Sequence, residues 1–172
     1  GEVAMAMNAH DLALKYLSTR DRTMLEMRKY LASKEVPEAE IEECLEYLSE
    51  CGLIDDEDYC ERYILYGMEK GRGPIRLEKE LTEKGVPPDI VKMALEAHFG
   101  SEGEREAALY QVQRLLKNRS EESEYPEDWV FYEENPKPVP LNEKELARIG
   151  RRLASQGFHS HVIYEILGML RR

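Results

Sequence analysis

The sequence predicts an all-α protein: three tandem three-helix repeats stacked into an elongated, curved body. Three observations carry that expectation. Helix-start chemistry recurs along the chain, apolar residues fall at spacings of three and four, and one helical unit is repeated internally. The segment Val130–Tyr132 is too short to make a sheet of the alternating kind.

The elements follow in order. The first unit is expected as helices over roughly 9–18, 24–34 and 38–50. Thr23 with Glu26 reads as a capping box, in which the hydroxyl accepts from an orphan backbone N–H and the carboxylate returns the bond. Pro37 falls where a missing N–H costs little, and Ile41, Leu45 and Leu48 set the buried stripe. The second unit is expected over 56–69, 74–84 and 88–98, with Asp55 and Asp58 as a weaker start. Pro74 and Pro88 open its later helices, Leu77 and Leu81 face inward, and Gly67 weakens the end of its first helix. The third is expected over 102–117, 143–156 and 160–171, with Ser101–Glu104 and Asn142–Glu145 as starts and Ile163, Ile166, Leu167 and Leu170 as the last stripe.

The repeat is explicit in the letters. MLEMRKYLASKEVPEAEIEECL (Met24–Leu45) aligns with PIRLEKELTEKGVPPDIVKMAL (Pro74–Leu95) at a shift of 50 without a gap. Met27 falls on Leu77, Leu31 on Leu81, Lys34 on Lys84, Val36 on Val86 and Pro37 on Pro87. A third copy lies 72 residues beyond the second, where Ile149 matches Leu77, Gly157 matches Gly85 and Phe158 matches Val86. The larger shift leaves room for an insertion at 118–141. The expected organisation is thus an extension at 1–8, repeats at 9–53, 54–99 and 100–172, and the insertion within the third. No such helix is long enough to be stable alone, so each must bury its stripe on its neighbours.

Composition narrows the function. In 172 residues, 42% are hydrophobic and 34% charged, the mean hydropathy is -0.61 and the net charge is -11. No run approaches the ~18 apolar residues of a membrane span. The opening GEVAMAMNAH lacks the profile of a secretory signal, so a cytoplasmic location is expected. Cys44, Cys51 and Cys60 have neither a metal nor a disulfide spacing and read as small buried hydrophobes. Residues 1–60 hold 15 acids against 6 bases, whereas residues 142–172 hold 3 acids against 6 bases. Bulk attraction to nucleic acid is therefore not expected, because phosphate neutralisation needs clustered Lys and Arg. The acidic N-terminal part suits a basic protein surface instead.

Arg20-x-x-Thr23-x-x-Glu26-Met27, Gly52-Leu53-Ile54-Asp55-Asp56 with Tyr59 and Tyr63, and Gly71-Arg72-Gly73-Pro74-x-Arg76-x-x-x-Glu80-Leu81-x-x-Lys84-Gly85 together resemble the RecX family, regulators of the bacterial RecA recombinase. The resemblance is specific over Leu12–Leu95 and looser over Glu143–Leu170. It implies an all-α fold of three tandem units. It also implies a non-enzymatic role without cofactors, in which a monomer binds the groove of RecA–DNA filaments and lowers ATP hydrolysis, strand exchange and filament growth. DNA repair, homologous recombination and the SOS response are the implied setting. The alternative is a helical-repeat protein that binds nucleic acid directly through its basic faces, with weak DNA contact.

Several stretches could carry chemistry. Gly71-Arg72-Gly73-Pro74 could cradle a phosphate, but it supplies neither the Lys-Ser/Thr of a P-loop nor the third glycine of a dinucleotide fingerprint. It reads as a connector that leaves Arg72 exposed beside Lys70 and Arg76, with Lys84 one helix length away. A second basic group comprises Arg148, Arg151 and Arg152, which share one helical face, with Arg171 and Arg172 beyond. Lys70, Arg72, Arg76, Lys84, Arg148, Arg151 and Arg152 are the candidate partner-binding residues. Asp55, Asp56, Glu57 and Asp58 cannot converge on one cation from consecutive positions. His159 and His161 lack companions at ligand spacing, so no metal and no catalytic residue is expected. The segment 120–135, with seven acids, no base and the aromatics Trp129, Phe131 and Tyr132, reads as a partly disordered loop whose aromatics dock on the body, with an acidic surface for a basic counterpart as the alternative.

Overall fold

The computed structural model describes residues 7–120 and 141–171. Among the described residues the chain is all-helical, with α1 (Ala9–Leu17), α2 (Met24–Ser33), α3 (Glu38–Glu50), α4 (Asp56–Glu69), α5 (Pro74–Glu83), α6 (Pro88–Phe99), α7 (Gly103–Ser120), α8 (Glu143–Gln156) and α9 (Ser160–Leu170). The expected helices agree with these to within a residue or so. The exception is α7, which continues to Ser120 into the start of the expected insertion. Trp129, Phe131 and Tyr132 lie outside the described residues.

Local chemistry explains most of the boundaries. Thr23 accepts from the Glu26 N–H while the Glu26 carboxylate accepts from the Thr23 N–H, so the capping box is complete. Asn142 accepts from the Glu145 N–H and Asp55 from the Asp58 N–H. Pro37 stands at the cap of α3, one residue ahead of the first turn, and makes no side-chain cap. The Ser101 start is a correction. Ser101 takes a left-handed φ of 56° two residues before α7, and Glu104 turns away to bond His159 instead. Tertiary bonding has outcompeted the local cap.

Packing divides the chain into two compact units, Gly1–Tyr63 with Glu80–Lys92, and Ile64–Lys79 with Met93–Arg172. In the first, α1, α2 and α3 pack on one another. Their core holds Ala13, Met27, Leu31, Ile41, Cys44, Leu45 and Leu48, with Tyr16 and Tyr30 stacked 3.9 Å apart beside it. In the second, α7, α8 and α9 enclose Ala108, Val112, Leu146, Ile149, Leu153 and Ile166. Gly67 is buried against α5, where a Cβ would collide with the Leu77 side chain. The residue that weakens α4 as a helix therefore lets α5 approach it, and close packing is its role.

Each unit contains a joint between a helix head and a distant turn. In the first, the Thr23 hydroxyl donates to the Lys84 carbonyl at 2.5 Å, and Asp56 accepts from the Met24 N–H at 2.9 Å. Gly85, at φ 88°, lies so close to Leu25 that a Cβ would collide with that side chain. Thr23 is fully buried and serves two partners at once.

Two of the cysteines are buried, as expected, and Cys51 is exposed at the end of α3, which corrects the reading of all three as core. Burial raises the Cys44 thiol and pushes Cys60 up to about 11, so both are held as unreactive thiols. In the native protein a disulfide reagent should therefore label Cys51 rapidly, and labelling of the other two should await unfolding. Thr23→Ala should lower stability by about 2 kcal/mol in urea unfolding, since a cap and a buried tertiary bond are both lost. Thr23→Ser should recover most of it. Burial raises the Glu26 carboxyl, but hydrogen bonds from Arg20 and Thr23 outweigh it and hold the group below its ordinary 4.5. A depressed carboxylate stabilises the fold above its unfolded value and loses that contribution as pH falls through the folded one. Glu26→Gln should accordingly flatten the acid side of the stability profile relative to wild type.

Candidate basic interface around the glycine joint

The second joint is built from Gly71-Arg72-Gly73-Pro74. The Gly73 N–H donates to the Gln156 carbonyl at 2.7 Å and the Ile75 N–H to the Gly157 carbonyl at 2.9 Å. These donors belong to the head of α5, where helix geometry leaves N–H groups unpaired, and the acceptors close the end of α8, where it leaves carbonyls unpaired. Opposite partial charges of the two helix ends add to the attraction. Pro74 between them has no N–H to satisfy.

Main chain lies on main chain, so side chains are excluded. A Cβ on Gly73 would stand 2.6 Å from the Gly157 carbonyl carbon and oxygen. One on Gly157, which has φ 97°, would stand 2.6 Å from the Arg76 nitrogen. Gly71, at φ 81°, sits over a buried pair in which the Gln156 amide donates to Gln111 at 3.1 Å. The loop is a connector, as its sequence suggested, and its N–H groups are spent on protein carbonyls.

The joint carries cations with it. Arg76 in the first turn of α5 lies against Gly157, directly after α8, whose outer face presents the exposed Arg148, Arg151 and Arg152. Arg152 precedes Gln156 by four residues, about 6 Å along the helix axis. Two basic groups whose nearest members, Arg76 and Arg148, are 72 residues apart in sequence are thus assembled in one compact unit. Lys70 and Arg72 lie over the half-exposed ring of Tyr66, at 5.6 and 5.5 Å from its centre, in cation–π range. Sequence reasoning left Tyr66 out. Its i, i+4 spacing to Lys70 was the available signal, while the return of Arg72 depends on the loop.

Lys84 belongs to the other unit. Its carbonyl receives Thr23, and its amine lies 6.0 Å from the Tyr63 ring, whose hydroxyl donates to Glu80 at 2.5 Å. His159, expected to be inert, is structural. Its backbone N–H and ring both bond the buried Glu104 carboxylate, the ring at 2.7 Å, and so join α9 to α7. No group of three His, Cys, Asp or Glu among the described residues is placed to hold a metal ion. No described helix is long and apolar enough to cross a membrane.

The joint sets up a clear contrast. Gly73→Ala should cost about 2–4 kcal/mol in urea unfolding, because a main-chain clash cannot be relieved by a rotamer. Tyr66→Leu should cost less than ~1 kcal/mol, as the ring is half exposed and its cation–π contacts with Lys70 and Arg72 are at the surface.

Comparison with known proteins bears on the fold and the family. Residues 9–48 match the family model described as RecX, first three-helix domain, and residues 55–95 match RecX, second three-helix domain. The Regulatory protein RecX of Bacillus pumilus is 35% identical over 112 residues, which are 63% of this chain and 42% of that protein. The chain thus matches less than half the length of that relative. The Regulatory protein RecX of Mycolicibacterium smegmatis is 28% identical over 162 residues, 94% of this chain and 78% of that one. The crystal structure of RecX from Lactobacillus salivarius superposes with a TM-score of 0.71 at 25% identity, covering 94% of each chain. With two RecX domains matched in order along one all-helical chain, and a solved RecX fold matched over nearly its whole length, this protein belongs to the RecX family.

Proposed function

We propose that this chain regulates RecA by binding the RecA–DNA filament, lowering its ATPase activity, strand exchange and filament growth. Family membership supports a regulatory role, and the ordered match of the two three-helix domains is the observation that carries it. The reading assigns no catalytic residue and no cofactor. It places the protein in the cytoplasm as a monomer, organised as three units at 9–53, 54–99 and 100–172, and acting in recombinational repair and the SOS response.

Contact with the filament is assigned to the basic groups, chiefly Lys70, Arg72, Arg76, Arg148, Arg151 and Arg152, with Lys84 as a separate cation. Most of them are exposed on helices or on a connector pinned at both ends, so they meet a partner without first being ordered. A second reading, direct contact with single-stranded nucleic acid, is favoured by Tyr66 between Lys70 and Arg72, since an exposed ring with flanking cations can stack a base and hold a phosphate.

RecA ATPase on single-stranded DNA, measured with and without this protein, tests the first reading. The rate should fall as protein is added, and the protein should sediment with filaments. An unchanged rate at saturation, without co-sedimentation, would sink it. Charge reversal at Arg148, Arg151 or Arg152, all exposed, should weaken inhibition about tenfold, ~1.4 kcal/mol, while leaving the melting temperature near wild type. If direct DNA contact dominates, affinity for bare DNA should fall steeply with salt and with Tyr66→Ala.

A further inference from the structure

The first compact unit exposes an apolar face on α1 and α3 that none of the basic groups touches. Tyr47 on α3 is 49% exposed, and the His10 ring of α1 meets it edge-on, with centres 5.0 Å apart and planes at 82°. The same imidazole approaches the buried Cys44 thiol at 4.0 Å, so α1 and α3 meet here. Leu14, one turn along α1 from His10, is also 49% exposed, and Met7 just ahead of α1 is 43% exposed. Exposed apolar side chains scattered singly are ordinary, but here a ring contact joins those of two helices into one surface.

The rim of that surface is acidic. Every charged residue of α3 is a glutamate, six in 13 positions, and all six are exposed. Glu43 precedes Tyr47 by four residues and Glu50 follows it by three, so both share its helix face. Among the described residues only Glu42 of the six forms an ion pair, with Arg28. Carboxylates at spacings of three and four repel one another, so the arrangement works against the helix that carries it. From α1 the surface gains Asp11 and one base, Lys15.

We propose that this face of α1 and α3 docks a basic protein surface, which lays an apolar side chain on Leu14 and Tyr47 and brings lysine or arginine to Glu43 and Glu50. An apolar centre inside a charged rim is the ordinary build of a protein interface. The sign of the rim selects the occupant: carboxylates repel phosphate and attract cationic side chains. The proposal rests on the reading of this chain as a binder of RecA–DNA filaments and deepens it. The first unit takes basic protein, and anionic groups are left to Arg148, Arg151 and Arg152 of the second.

Co-sedimentation with RecA filaments on single-stranded DNA tests this, with wild type, Leu14→Ser and the double variant Glu43→Lys with Glu50→Lys. The double variant should bind filaments about tenfold more weakly, yet bind bare single-stranded DNA at least as well as wild type. Leu14→Ser should weaken filament binding about fivefold and leave DNA affinity unchanged. All three positions are exposed, and the lysines relieve repulsion along α3, so the double variant should melt no lower than wild type. Filament binding by the double variant equal to or tighter than wild type would overturn the proposal, because no cationic surface would then face α3. Unchanged filament binding by Leu14→Ser would overturn it too. Wild type that stays in the supernatant would remove the filament reading and this contact with it, so the wild-type sample separates the two failures.

Discussion

Helix ends are where this all-helical protein has unpaired backbone groups, and the way they are paired organises the rest. The α5 head gives its Gly73 and Ile75 N–H groups to carbonyls at the end of α8, and the α2 head sends the Thr23 hydroxyl to the carbonyl before Gly85. A helix end left dry and unpaired is costly, so joining one end to another removes two deficits at once. It also fixes the spacing of the joined elements, to main-chain contact distance at Gly73 and Gly157 and to the Leu25 side chain at Gly85, which leaves no room for a Cβ at these three positions. The hydrophobic stripes then have defined faces against which to pack.

This constraint also determines what the surface offers. A glycine-rich loop at a helix head is where phosphates bind in many proteins, because the N–H groups there are available. Here two of those N–H groups are already committed, and the polarity of the site comes from side chains that the joint carries outward. Arg76 is set beside the end of α8, and Lys70 and Arg72 are gathered over Tyr66. The chemistry is that of a positively charged surface with an aromatic at its edge. Such a surface suits an acidic protein face or a phosphodiester backbone.

Much of this was legible in the letters, and the misreadings share one cause. Helix limits followed from caps, prolines and apolar spacing because those act within a turn of the residue concerned. Thr23 was recognised as a cap, but its second bond, to Lys84, depends on a partner 61 residues away. Ser101 failed as a cap because Glu104 found a better partner in His159. Gly67 was read as a defect in a helix, yet its missing side chain is what Leu77 packs into. Cys51 shares the apolar character of Cys44 and Cys60 but falls at a helix end on the outside.

The sequence by itself determined that the chain is helical, where its helices start and stop, and that one unit recurs, since these depend on hydrogen bonds and periodicity within a few residues. Its motifs also pointed to the family. Tertiary structure alone decided which helix end meets which, and hence that the α5 head around Gly73 and the end of α8 that carries Arg152 belong to one compact unit. Those contacts are between backbones far apart in the chain, and a glycine records only that something comes close, never what.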